Sequence, residues 1–323
     1  MADTPQTERI DIKTGWNCNN RCLFCVQGNK RAQYPTKDTA EVFKLLEEGR
    51  RDADSIVFTG GEVTIRQDLM EIVAYAKSLG YRSIQIQTNG RMLAYKKICE
   101  DLINAGATEF SPALHGHTAA LHDYLVHAPG AFKQTVRAIA NLKELGQYVL
   151  TNSVICRANY RHLPELATLL TSLGVDQYQF AFVHPLGTAA ELFTSIVPRM
   201  SLIEPFVHRG LDVGIKAGRS VMIEAIPYCF LKGYEIFAGE RVVPRTKILE
   251  GHVTIQDYTV HRLTEGKAKG PRCAECAFND MCEGPWHEYP DKYGWDEFEP
   301  RRDFSGSHPD LFPGVKLDRK SVV

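Results

Sequence analysis

The sequence lacks any apolar run approaching the roughly 20 residues that a membrane-spanning helix needs. It also lacks an excess of charge of either sign: 38 Lys and Arg stand against 39 Asp and Glu, a formal net charge of −1. That balance gives no bulk attraction to nucleic acid or to an anionic membrane, so neither is expected as a partner. The opening stretch MADTPQTERIDIKTG has no apolar segment of the secretory kind. There is no low-complexity segment and no internal repeat beyond an alternation of strand and helix patterns. Nor do the cysteines divide evenly into pairs, since there are nine. An odd count without an export signal leads us to expect a cytoplasmic chain with reduced thiols. Reduced thiols in clusters usually mean metal.

What is present is enough for a sizeable core. The chain has 323 residues, 44% hydrophobic and 24% charged, in the ordinary range of a folded enzyme. Strand patterns occur at Arg9–Gly15, Ser55–Gly61, Ser83–Gly90, Glu109–Gly116, Val149–Ile155 and Gln177–Val183. Helical patterns lie between them; Leu69, Ile72, Val73, Ala76 and Leu79 recur at i, i+3, i+4 spacing. Gly80, Gly106, Gly146 and Gly174 follow predicted helices, where glycine supplies a left-handed cap. Six strand–helix units in series imply parallel strands with right-handed crossovers, in an incomplete barrel or an open doubly wound sheet. Either architecture builds its site at the C-terminal strand ends. A further helix is expected near residue 200, with Ser201 and Glu204 as a capping box. From Val221 the chain is rich in glycine, proline and aromatics. We therefore expect two domains, 1–205 and 206–323, the second small and metal-stapled.

GWNCNNRCLFCVQGNKR follows the first strand and spaces Cys18, Cys22 and Cys25 as C-x3-C-x2-C. Three thiolates are one short of a closed zinc site. They suit a [4Fe–4S] cluster, usually held by four cysteines, with one iron left open to a chelating small molecule. Arg21, Gln27 and Lys30 could balance cluster charge. FTGGEVT follows the second strand; Gly60 and Gly61 admit close backbone approach, and Glu62 brings a carboxylate suited to an ammonium group. Taken singly, C-x2-C reads as a zinc half-site and Gly-Gly-Glu as a turn. At the ends of adjacent strands they face one site.

The pair of motifs resembles the radical S-adenosylmethionine (SAM) superfamily. QTNG at Gln87–Gly90 is similar to that family's third-strand end, and the stretch His115–Gly146 to its peptide-modifying branch. The resemblance implies a partial (β/α)6 TIM-like barrel of the α/β class. It implies a SAM-binding [4Fe–4S] cluster on Cys18, Cys22 and Cys25, with SAM on the open iron. Reductive cleavage of SAM would give a 5′-deoxyadenosyl radical that abstracts hydrogen from a peptide or small metabolite. An electron donor such as flavodoxin or ferredoxin would act as partner. By family position Gly60, Gly61 and Glu62 would meet the methionine amino group, Phe24 would lie near adenine, and Ser111 and Asn152 would contact ribose or carboxylate. His115 stands before Gly116 where relatives often carry an acid, so no acidic contact is carried over there.

CAECAFNDMC adds Cys273, Cys276 and Cys282 as C-x2-C-x5-C, and Cys229 supplies a fourth thiol. Alone, four cysteines fit structural zinc. Beside the first motif, the spacing resembles the SPASM/twitch domains that hold auxiliary iron–sulfur clusters. Trp286 stands where the full SPASM pattern has another cysteine, so one auxiliary [4Fe–4S] cluster of the shorter twitch form is implied, closed by Cys229 and used for electron transfer. His252, His261 and His287 are alternative ligands to Cys229. Cys99 reads as core, and Cys156 follows the fifth strand. The aromatic tail at 284–300 is expected to pack around the second site and against the barrel. A glycyl-radical-activating enzyme, and a non-enzymatic iron–sulfur redox protein with C-terminal zinc, are the competing readings.

Overall fold

A computed structural model describes residues 7–311. Among the described residues nine strands form one sheet: β1 (Arg9–Lys13), β2 (Ser55–Thr59), β3 (Ser83–Thr88), β4 (Glu109–Pro112), β5 (Tyr148–Ile155), β6 (Gln177–Phe182), β7 (Ser220–Glu224), β8 (Thr246–Leu249) and β9 (Thr254–Ile255). Their order is β7-β6-β5-β4-β3-β2-β1-β8-β9, every pair parallel except β8 with β9. Six predicted strands thus stand side by side in chain order, joined by helices, and the sheet does not close on itself among the described residues: β7 and β9 are its outer strands. This is a partial barrel wall.

The alternation of the strands explains the two layers. In β1, Ile10 and Ile12 are fully buried while Arg9, Asp11 and Lys13 between them are not. A side chain added at Gly49 of the helix Thr39–Arg50 would meet Ile10, so the apolar face looks toward the helices. Phe180 of β6 lies in the same way under Gly210 of the helix Met200–Lys216. The opposite face is polar, with Gln85, Gln87, Asn152, Gln177, Gln179 and Glu224 at alternate positions. Lys13 reaches Asp11 at 2.8 Å, and Gln179 donates to Glu224.

Leu69, Ile72, Val73 and Ala76 form the buried stripe of the helix Leu69–Ser78, as their spacing predicts. Gly80, Gly106, Gly146 and Gly174 all take positive φ behind their helices. The expected Ser201–Glu204 capping box does not form. The helix starts at Met200, so Ser201 lies inside its first turn, and its backbone N–H donates to Glu297 of the tail at 2.9 Å. The helix Met200–Lys216 also runs unbroken through the expected boundary at 205/206. Beyond it β7 lengthens the sheet past β6, and β8 returns beside β1. Among the described residues no helix is long and apolar enough to cross a membrane.

Candidate active site

The first cysteine loop is held at the C-terminal ends of four strands. Its entry is pinned to the end of β2: Gly61 N–H donates to Gly15 O at 2.8 Å and Glu62 N–H to Asn17 O at 2.7 Å. Gly60 has φ +119°, and a Cβ on Gly61 would lie 2.2 Å from Asn17 O. The two glycines are therefore required for loop-to-turn contact, beyond any approach of a ligand. From β3, Asn89 Nδ2 donates to Asn19 Oδ1 at 2.7 Å, and Arg91 donates to Asn19 O and Asn20 Oδ1. The helix Ala119–Val126 accepts from Arg21 and Leu23 through its last two carbonyls. After β6, Thr188 N–H donates to Cys25 O at 2.9 Å.

These anchors bring Cys18, Cys22 and Cys25 within electrostatic reach of one another. Burial raises the thiol pKa of Cys18 and Cys22, and the neighbouring sulfurs add to it. In the iron-free chain these groups are thiols at neutral pH, and ligation must displace their protons. No fourth cysteine joins them except Cys156, which is fully buried, close to Cys22 and held protonated by its burial. The donor set fits a four-iron cluster with one iron free of protein.

Glu62 is more enclosed than its motif suggests. Its side chain is 3% exposed. Oε1 accepts from Thr64 N–H at 3.0 Å and from the hydroxyls of Thr64 and Thr88; Oε2 accepts from Asn89 N–H at 2.6 Å. Burial raises its pKa against the pull of those bonds. The carboxylate thus ties the β2 turn to the β3 end. Phe24 is buried, its ring edge-on to His115 at 4.6 Å. Burial holds the His115 pKa well below the usual value; its ring Nδ1 accepts from Val154 N–H, and its backbone N–H donates to His122 Nδ1. Ser111 is buried on β4. Asn152 on β5 keeps Oδ1 buried with no hydrogen-bond partner, which leaves an acceptor for a bound small molecule.

The second set converges as well. Cys229, Cys273, Cys276 and Cys282 line one pocket together with Tyr228 and Lys269. Gly270 N–H points at Cys273 Sγ (3.3 Å) and Gly284 N–H at Cys282 Sγ (3.4 Å). Amide donors of this kind stabilise ligating sulfur and tune its potential. Burial and the other three sulfurs raise the Cys229 pKa. No histidine lines the pocket: His252 stacks on Tyr34, His261 faces Glu265, and His287 faces Glu288. Among the described residues no three His, Cys, Asp or Glu are drawn together tightly enough to grip a single metal ion. Cys99 is core and donates to Leu93 O. Tyr289 and Phe298 of the tail are buried, and Tyr289 packs edge-on to Phe182 of β6.

The sequence reading missed Asn89, Arg91 and Gly187. Their signal was position, since each lies just past a strand's C-terminal end. Gly187 has φ +56°, and a Cβ there would lie 2.6 Å from Cys25 O and 2.7 Å from Val26 O. Gly187→Ala is expected to cost about 2–4 kcal/mol through left-handed strain and overlap. Lower iron retention on the three-cysteine loop and a lower melting temperature check this; an unchanged iron content and melting curve would refute the contact's importance.

Residues 12–170 match the family model described as the radical SAM superfamily. Over 196 residues the chain is 29% identical to an AdoMet-dependent heme synthase of Oleidesulfovibrio alaskensis, covering 60% of this chain and 50% of that protein. It is 31% identical over 174 residues to a probable GTP 3′,8-cyclase of Saccharolobus islandicus, covering 53% and 55%. The chain therefore spans about half the length of the curated relatives it matches. Among solved structures, Streptococcus suis SuiB bound to S-adenosylmethionine superposes with TM-score 0.65 at 15% identity, over 92% of this chain and 76% of SuiB. Native anSMEcpe with bound AdoMet gives TM-score 0.64 at 13% identity, over 92% and 93%. Residues 12–170 carry the cysteine loop and the Gly-Gly-Glu turn in the fold just described, and they form a radical SAM domain.

Proposed function

We propose that this protein is a radical SAM enzyme that cleaves SAM reductively and abstracts hydrogen from a peptide or small metabolite, with an auxiliary [4Fe–4S] cluster on its second cysteine set. The observation that carries the reading is the convergence of Cys18, Cys22 and Cys25 on one loop at the strand ends beside the Gly-Gly-Glu turn, with the neighbouring Cys156 sealed in the core. Cys18, Cys22 and Cys25 would hold the first cluster. Gly60, Gly61 and Glu62 would shape the methionine end of the SAM site, Phe24 the adenine end, and Ser111 and the unpartnered Asn152 Oδ1 the ribose or carboxylate contacts. When bound, the reduced cluster would supply one electron to the S–C5′ bond of SAM, which would leave as methionine and a 5′-deoxyadenosyl radical able to take a hydrogen atom from substrate.

Cys229, Cys273, Cys276 and Cys282 would close the auxiliary cluster. Four thiols around one pocket suit a four-iron cluster, in which each iron takes one thiolate. That arrangement supports electron transfer, and residues 206–323 then divide into the end of the barrel wall and a twitch-like cluster domain. Two solved neighbours are described as bound to peptides, SuiB with its precursor SuiA and anSMEcpe with Cp18Cys. They support the peptide alternative, as the heme synthase and cyclase relatives support a metabolite.

The test is anaerobic reconstitution with iron and sulfide, then dithionite and SAM. The expected result is 5′-deoxyadenosine and about eight irons per chain, as two four-iron clusters. About four irons with one zinc would overturn the auxiliary cluster, and no 5′-deoxyadenosine would overturn the enzyme reading.

A further inference from the structure

Cys229 and the other three cysteines of the second site lie on separate segments, and the tail beyond them is bound to both. Glu235, six residues past Cys229, is fully buried. Its Oε1 accepts from Arg301 Nη1, and its Oε2 from the backbone N–H of His308 at 3.0 Å. Phe298 packs edge-on to Phe230, and His308 to Phe237. Residues 298–308 are thus fastened to the Cys229 segment at both ends and in the middle.

The same residues hold the three-cysteine loop. Arg301 O accepts from Ala277 N–H at 2.7 Å, just past Cys276. The Arg301 guanidinium lies 4.3 Å from the Phe278 ring centroid, and Phe304 packs edge-on to that ring at 4.9 Å. Two exposed ion pairs, Arg272 with Glu299 and Arg302 with Glu275, run along the same line. Phe298, Glu299 and Pro300 wall the pocket that the four cysteines line. The exposed pairs contribute little, because water screens them. The buried pair is different: removing one partner leaves the other charged and buried without a counterpart. It also admits one register of the tail. Arg301 must present Nη1 to Glu235, Nη2 to Ser307 Oγ (2.6 Å) and Ser305 O (3.1 Å), and its carbonyl to Ala277 at once.

We propose that residues 298–308 form a strap that clamps the Cys229 segment to the Cys273–Cys282 loop, with Glu235 and Arg301 as the positioning residues that lock it; this rests on the reading that the second cysteine set holds metal. The strap acts through Cys229. Once it is unlocked, the two segments can part and the fourth thiolate leaves the metal. Tyr228 still packs edge-on to Phe278, so the unlocked site is loosened rather than dispersed. A locked fourth thiolate keeps substrate off the metal, which is what a site for electron transfer alone requires.

Alkylation of the reconstituted full chain by iodoacetamide, read cysteine by cysteine through peptide mapping, tests the strap, because a ligating thiolate resists the reagent. In the wild type Cys229, Cys273, Cys276 and Cys282 are expected to react slowly. In Glu235→Ala and in Arg301→Met, Cys229 is expected to react roughly tenfold faster or more, with Cys18, Cys22 and Cys25 unchanged. Glu235→Gln is expected to fall between: its carbonyl oxygen can still hold Arg301, but its amide then opposes the His308 N–H. If Glu235→Ala also speeds Cys18, Cys22 and Cys25, the whole chain has loosened, and Glu235→Gln decides by the same readout. Cys229 that stays slow in all three variants sinks the strap alone. Fast alkylation of all four cysteines in the wild type sinks the metal-site reading, and the strap with it. Zinc in place of iron would change the metal and leave the strap standing.

Discussion

Replacing Cys18, Cys22 and Cys25 together with alanine is expected to abolish SAM cleavage while leaving the second cysteine site able to hold iron. The loop that carries them is anchored by backbone contacts from Gly15, Asn17, Arg21 and Leu23, and by the Asn89 and Arg91 side chains. None of those contacts needs a cysteine side chain, so the barrel should fold. What is lost is the ligand set. We expect 5′-deoxyadenosine formation to fall at least roughly a thousandfold, about 4 kcal/mol of transition-state stabilisation. Iron should fall from about eight to about four per chain. Iron analysis and product quantification on one preparation check both. If cleavage survives the triple change, the chemistry lies elsewhere. If all iron disappears, the two sites are not independent.

Much of this architecture is legible in the sequence because it is local. The apolar alternation of β1, β3, β5 and β6, the stripe Leu69–Ile72–Val73–Ala76 and the glycines behind the helices are each patterns within a dozen residues. The two cysteine sets are legible for a different reason: their spacings restrict the metal chemistry they can serve. What escapes is long-range. β8 is four residues, TKIL, in a glycine- and proline-rich stretch, and nothing local says that it pairs with β1. Ser201 and Glu204 have the spacing of a capping box, yet the helix begins at Met200, two residues before a Ser201 cap would start it, and the tail carboxylate of Glu297 accepts from Ser201 N–H instead. Gly28 and Gly187 meet across the loops after β1 and β6, and each looks unremarkable in its own segment. The stacking of His184 on Trp286 at 3.7 Å, with Lys267 Nζ 4.1 Å from the same ring, is invisible for the same reason. A tryptophan in place of an expected cysteine reads as a missing ligand until its two neighbours are seen on its faces.

Glu62 is where the motif and the structure say different things, and its replacement separates them. If the carboxylate served mainly to meet the SAM ammonium, Glu62→Ala would weaken SAM binding and leave the SAM-free protein as stable as before. The structure instead commits Oε1 to Thr64 and Thr88 and Oε2 to Asn89 N–H, all buried. Alanine would strand those donors, so Glu62→Ala is expected to destabilise the SAM-free protein by about 2–4 kcal/mol. Asn89 also holds Asn19, beside Cys18, so the cluster loop would shift with it. A misplacement of that kind costs SAM cleavage on the order of 100-fold. Glu62→Gln is the sharper probe. Its one carbonyl oxygen can replace either Oε1 or Oε2, but its amide nitrogen must then oppose the N–H of Asn89 or of Thr64. An intermediate loss of stability is expected, with partial activity. Thermal melts without SAM, set beside SAM titrations of the same variants, decide the matter: unchanged melting with weaker SAM binding would return Glu62 to the role its motif suggests.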